Sequence, residues 1–73
     1  MKRIYKVKVE RVTMDWGMFN GYDETYVATE NIENVIEAKK AEIEKIGAWW
    51  CGYGKGEDGR PNVLAEELTI VEA

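Results

Sequence analysis

The chain has no histidine, a single cysteine and a single proline, and it nowhere runs through the roughly 18 consecutive apolar residues of a membrane-spanning helix. Without an imidazole there is no ready base to turn Cys51 into a thiolate nucleophile, so Cys51 reads as a small packed or half-exposed thiol. Zinc, which is held by clusters of cysteine and histidine, has no ligand set here. The acidic stretch around Glu57 and Asp58 also lacks the D-x-[DN]-x-[DN]-G spacing of a calcium loop. No metal and no cofactor are expected. One cysteine cannot close an internal disulfide, which agrees with a reducing compartment and leaves the core to supply all the stability. The run from Met1 to Lys8 alternates polar and apolar residues where a signal peptide would be continuously apolar, so a cytoplasmic chain with no membrane contact is expected.

What is present fits one small globular domain: 73 residues, 45% of them hydrophobic and 33% charged. The net charge of -4 is uneven. Residues 1 to 20 hold five basic and two acidic groups, and residues 21 to 73 hold five basic and twelve acidic ones. An acidic body argues against direct binding to a phosphate backbone. Lys6 and Lys8 could reach RNA from the wet face of a strand, but no stacking aromatics are expected beside them.

Tyr5, Val7 and Val9 alternate with Lys6, Lys8 and Glu10, which predicts a first strand over 3–14. Val12 and Met14 fall on the parity of the lysines, and this phase slip predicts a bulge near Glu10-Arg11. Glu24 to Thr29 is rich in β-branched and aromatic residues and predicts a second strand. Asn31 is an expected N-cap, with Glu33 in the first turn, for a helix over 32–46 whose apolar face is Ile32, Val35, Ile36, Ile43 and Ile46. Gly47 suits its C-terminal end. Lys39 falls in the middle of that stripe, either as a snorkelling stem or as an ion-pair partner of Glu66 or Glu24. A third strand is predicted over Val63 to Glu72. A right-handed crossover then gives a two-layer α+β domain of ββαβ order, with a three-stranded antiparallel sheet in order 2-1-3 and one helix on one face.

That topology puts two glycine-punctuated connections at one end of the domain. Between them they carry six of the eight aromatic residues: Trp16, Phe19, Tyr22, Trp49, Trp50 and Tyr53. The second connection is long for a structureless loop, and Asp58-Gly59 predicts a hairpin arm within 48–67 in which Pro61 needs an edge or terminal position. Trp49 and Trp50 would point to opposite faces, so only one enters the core. Each buried aromatic removes about 150–250 Å² from water, and a soluble monomer exposes an apolar patch of about 300–600 Å² at most, so six exposed rings are too many. Trp50, Phe19 and Trp16 are expected to face outward.

Gly54 to Gly59 spells G-x-G-x-x-G, but a helix precedes it and a strand follows, the reverse of a phosphate-binding turn, and its two acids would repel phosphate. Asp15, Asp23, Glu57 and Asp58 could gather as a glycosidase-like acid pair at the aromatic end, yet 73 residues offer little to enclose a substrate. No catalytic residue is assigned.

The stretch Tyr26-Val27-Ala28-Thr29-Glu30-Asn31-Ile32-Glu33-Asn34-Val35-Ile36-Glu37-Ala38-Lys39-Lys40 resembles a class of small phage and mobile-element proteins in which an N-terminal hairpin runs into an "ES-I-E-E-A-I-E-K-A" helix. The resemblance covers about residues 4 to 46 and departs at Lys39, where a small residue is usual. It implies the ββαβ fold and, as a function, inhibition by binding host machinery, as anti-CRISPR proteins do. Residues 49 to 60 lie outside it, so no functional residues carry over.

The expected function is a non-enzymatic protein-binding module of this inhibitor kind, acting on a host protein or protein complex. Its expected contact residues are Trp16, Phe19, Tyr22, Trp49, Trp50 and Tyr53, with Glu57, Asp58 and Arg60 as rim. Two alternatives are a homo-oligomeric sponge that stacks a nucleotide-like ligand between subunits, and an acidic nucleic-acid mimic. The lysines of the helix interrupt the acidic face that the mimic would need.

Overall fold

The computed structural model describes residues 2–13, 17–47 and 52–69. The elements run β1 (Arg3–Val12), β2 (Phe19–Thr29), α1 (Ile32–Glu44) and β3 (Val63–Glu67). They form a three-stranded sheet in order β2-β1-β3, with β1 antiparallel to both neighbours. The fold is therefore the two-layer α+β domain read from the alternation and the crossover.

The boundaries differ from the expected ones in four places, the first being β1, which ends at Val12 rather than at residue 14. β2 begins at Phe19, five residues before the expected Glu24, because cross-strand pairing with β1 continues past the β-branched run: Val9 faces Asp23, Glu10 faces Tyr22 and Val12 faces Phe19. The helix stops at Glu44, and Gly47 lies at φ +86°, the left-handed region that ends helices. β3 stops at Glu67, although Leu68 still donates its N–H to the Ile4 carbonyl at 2.9 Å. Met14 and residues 70–72, included in the expected strands, lie outside the described residues.

The bulge lies at the expected level but on the other strand. Between the Glu10/Tyr22 and Val12/Phe19 pairs β1 spends one residue and β2 spends two, Asn20 and Gly21. Gly21 supplies φ +86°, which a residue with a Cβ reaches only with strain. Since β1 itself runs on without an extra residue, Val12 keeps the parity of Lys8 and Glu10 and lies on the sheet face away from the helix.

The helix is held by caps and by one apolar face. Asn31 accepts the Asn34 N–H at 3.3 Å as N-cap, and Glu33 lies in the first turn. Ile43 is fully buried against Val7, Val9 and Val63, and Ile32, Val35, Ile36 and Tyr53 pack around them. Ile46, expected on this face, is 61% exposed because the helix has already ended.

Length explains what the helix leaves bare. Thirteen helical residues span about 20 Å, whereas eleven strand residues span about 36 Å. The β1–β2 hairpin outruns the helix, and the radius of gyration of 13.5 Å exceeds the ~11 Å of a compact chain of this length.

The expected hairpin arm exists in a shortened form. Gly56 donates to the Arg60 carbonyl at 2.7 Å and Asn62 to the Gly54 carbonyl at 3.0 Å, which brackets a Lys55/Pro61 pair. In that arrangement the paired residues exchange no hydrogen bond, so the missing N–H of Pro61 costs nothing. Glu57-Asp58-Gly59 forms the tip, with Gly59 at φ +76° and its N–H on the Gly56 carbonyl. The arm then docks on β1: Val12 donates to Gly52, Gly54 donates to Glu10, and Glu10 donates to Asn62. One edge of β1 is thus served first by β3 and then by residues 52–54.

Candidate functional site

Both connections meet at the end of β1, as the topology requires. The first is closed by Thr13, whose N–H donates to the Met18 carbonyl at 2.8 Å and whose hydroxyl accepts the Met18 N–H at 3.1 Å. This fixes the start of β2 and presents Met18, 64% exposed, beside Phe19, 61% exposed. Phe19 meets Tyr22 edge to face, with ring centroids 5.2 Å apart. Phe19 and Tyr22 are therefore strand residues, not loop residues, and pairing places them on the open face of the sheet opposite α1.

That face also carries Tyr26, directly across from Lys6, and Leu64, directly across from Lys8. The expectation that the lysine face lacks aromatic rings is overturned: Lys8 Nζ lies 5.1 Å from the centre of the Tyr22 ring. The signal was Tyr22 and Tyr26 four residues apart, read as belonging to different elements. The cations are not free for phosphate, since Lys6 pairs with Glu24 at 3.1 Å and Lys8 approaches Glu66 at 4.0 Å. The hydrogen bond to Glu24 raises the Lys6 pKa above its ordinary 10.5, so this pair's contribution is present below that value and is lost as pH rises through the folded one.

On the helix side, the same end is closed by a residue the sequence did not single out. Arg11 stacks on Tyr53, 4.0 Å from the ring centre, donates through Nε to the Gly52 carbonyl at 2.7 Å, and reaches Asp23 at 2.9 Å. Tyr53 is half-buried against the core. Tyr53 and Asp23 are thus taken up by contacts within the domain.

Arg60 is likewise engaged by the chain itself. It meets both carboxylate oxygens of Glu37 at 2.7 Å and makes a second fork onto Glu44 at 2.7 and 3.3 Å. Asp58 accepts the Arg60 N–H at 3.0 Å and pairs with Lys40 at 3.1 Å. These contacts fasten the 56–60 tip to the polar side of α1, whereas Glu57 is exposed on the tip. The Arg60 guanidinium holds the Glu44 carboxyl below its ordinary 4.5, and the Arg60 N–H followed by Lys40 holds Asp58 below 3.8. Arg60 is pushed up in return, chiefly by Glu44.

Depressed carboxylates contribute stability above their unfolded values and lose it as pH falls through the folded ones. Urea midpoints are therefore expected to fall below about pH 4.5. In Arg60→Leu the midpoint is lower at pH 7 and the Glu44 part of the acid slope disappears. An unchanged slope would show that the network contributes nothing.

A cleft of about 300 Å³ lies between α1 and β2, with Val7, Thr25 and Val27 as floor and Val35, Ala38, Lys39 and Glu42 as wall. Its cause is the offset of the helix, which sits over β1 and β3. Lys39 lines it with its stem and pairs with Glu42 at 3.8 Å. Glu24 and Glu66 are its partners in neither case, because both lie on the opposite face of the sheet. The snorkelling reading of Lys39 holds.

Of the expected contact residues, the structure brings Phe19 and Tyr22 together on the open face and spends Tyr53, Asp58 and Arg60 on internal contacts. Trp16, Trp49, Trp50 and Cys51, and the question of which tryptophan is buried, lie outside the described residues. Among the described residues no three Asp, Glu or other ligating side chains gather where they could hold a metal ion, and no helix is long and apolar enough to cross a membrane. No protein-family model matches the chain, and no curated protein or solved structure matches it.

Proposed function

We propose that this chain is a non-enzymatic protein-binding module that docks a partner through the β1–β2 end and the open face of the hairpin, with Met18, Phe19, Tyr22 and Tyr26 as anchors. The observation that carries this reading is a row of large apolar side chains held outward by main-chain pairing rather than by a loop. Phe19, Tyr22 and Tyr26 lie on β2 and Met18 immediately precedes it, all four 38 to 66% exposed. Rigid aromatics lose little entropy on binding and dominate interface energetics. The resemblance of residues 26–40 to phage and mobile-element proteins supports an inhibitor of host machinery, acting in the cytoplasm on a host protein or complex.

The sponge and mimic readings have less behind them. The cleft is small and lined mostly by apolar groups, without the converging polar groups that orient a nucleotide. The acids are largely interleaved with their own cations, as at Lys6–Glu24, Arg11–Asp23 and Lys40–Asp58. That does not make a dense anionic face.

Phe19→Ser and Met18→Ser remove apolar surface that packs on nothing in the core. They are expected to lower the thermal midpoint by several degrees at most, the cost of the Phe19–Tyr22 ring contact, while abolishing capture of the host protein that the unaltered chain retains. Equal capture by the unaltered chain and the doubly substituted, folded variant would sink the reading.

A further inference from the structure

We infer that the free edge of β2 accepts, as a fourth strand, an extended segment of the partner protein in which basic and aliphatic residues alternate. This rests on the protein-binding reading above and specifies its mode. The main chain is poised for it. Ile4 and Glu10 of β1 bond toward the β3 side, so by antiparallel alternation the odd residues of β1 bond to their β2 partners Asp23, Thr25, Val27 and Thr29. The N–H and C=O groups of Glu24, Tyr26 and Ala28 then point to the open edge. Among the described residues nothing pairs with that edge, which is at the end of the sheet order.

The side chains along that edge state what kind of strand fits. On the open face the row is Tyr22, Glu24, Tyr26; Glu24 pairs with Lys6 through one carboxylate oxygen and stands between two aromatic rings, so a further cationic side chain would meet its second oxygen and a ring face. On the helix face the row is Thr25 and Val27, which form the floor of the α1–β2 cleft, with room for one or two aliphatic side chains. A strand laid on β2 sends alternate residues to these two faces. The other edge of β2 already reads this pattern: Lys6 faces Tyr26, Val7 faces Thr25 and Lys8 faces Glu24. Sheet addition of this kind draws affinity from main-chain bonds and specificity from alternate side-chain pockets.

Charge decides against a second copy as occupant. The sheet edges that another copy could offer are β2 and β3, whose acids Asp23, Glu24, Glu66 and Glu67 already pair with Arg11, Lys6, Lys8 and Arg3, so neither edge brings a spare cation to the Glu24 row, and two copies of net charge -4 repel. The basic–aliphatic strand β1 is central and paired on both sides.

The test is amide hydrogen exchange and titration by NMR, with a capped heptapeptide of alternating lysine and valine as probe. Its analogue N-methylated along the bonding edge and a glutamate–valine heptapeptide serve as comparisons. Expected are new protection at Glu24, Tyr26 and Ala28, none at Thr25 and Val27, and shifted Val27 and Val35 methyls. N-methylation removes two or three hydrogen bonds and is expected to weaken binding by about tenfold or more. The glutamate peptide should not bind. Equal binding of all three peptides, protection absent from the even residues, or protection that grows with protein concentration alone would overturn the proposal. If the host partner is captured through Met18 and Phe19 while these amides stay unprotected in the complex, the strand mode fails and the protein-binding reading stands.

Discussion

Ile43→Ala is expected to remove about half of the domain's stability at 25 °C. Ile43 is the one helical residue that is fully buried, and it touches the valine cluster formed by Val7 and Val9 of the central strand and Val63 of β3. Truncating a buried isoleucine costs about 2–5 kcal/mol through lost transfer energy and the cavity left behind. A chain of 73 residues has about 4–11 kcal/mol of stability in total. The core has few large side chains with which to collapse into the gap, and no disulfide constrains the unfolded chain. Urea unfolding followed by far-UV circular dichroism measures the loss directly. A change below about 1 kcal/mol would show that α1 is not packed on the sheet as described, since that is the range of surface substitutions and mild repacking.

Gly54→Ala is the second large expected effect, and it comes with an internal control. Gly54 is buried where the arm docks on β1, with its N–H on the Glu10 carbonyl at 3.0 Å. A Cβ there would stand 2.8 Å from Glu10 Cγ and closer still to the carboxylate, which is itself held by Asn62 Nδ2 at 2.9 Å. Glu10 must swing away and lose that partner, or the arm must lift off its edge. Overpacking of this kind costs about 1–3 kcal/mol. Glu10→Ala removes the obstructing atoms, so Gly54→Ala is expected to cost clearly less in the Glu10→Ala background than alone, a coupling of about 0.5–3 kcal/mol in the double-mutant cycle. Strict additivity would mean that the two residues do not meet.

The requirement at Gly54 also shows what the letters G-x-G-x-x-G mean in this chain. Gly54 is small because a side chain from β1 passes over it, and Gly59 takes a positive φ at a hairpin tip. Local spacing named the glycines correctly and could not say what approached them.

The aromatic residues divide for a similar reason. Phe19 and Tyr22 lie close to Gly17 and Gly21, which read as loop punctuation, yet strand pairing with β1 extended through them. The bulge at Asn20-Gly21 kept both rings on one face. Propensity is local, whereas the end of a ladder is set by how far the partner strand goes on pairing. The contacts of Arg11 are not legible in the sequence, because a lone arginine at a strand end carries no pattern. Its role exists only once Tyr53, Gly52 and Asp23, distant in sequence, are brought around it. Arg60 is an expected rim residue, but its contacts with Glu37 and Glu44 depend on the arm folding back over α1.

The sequence by itself determined the element order, the 2-1-3 sheet, the N-cap at Asn31, the apolar face around Ile43 and the meeting of both glycine-rich connections at one end. All of these follow from period, capping chemistry and the handedness of crossovers, which are properties of short segments and of chirality. Only the tertiary structure decided where β2 begins, which strand carries the bulge, which aromatic rings face outward and which charged groups are spent inside the domain. Those outcomes depend on the partner that each residue meets across the sheet or the arm. They depend as well on a helix of about 20 Å lying off-centre on a hairpin of about 36 Å, which leaves one strand edge and one cleft uncovered.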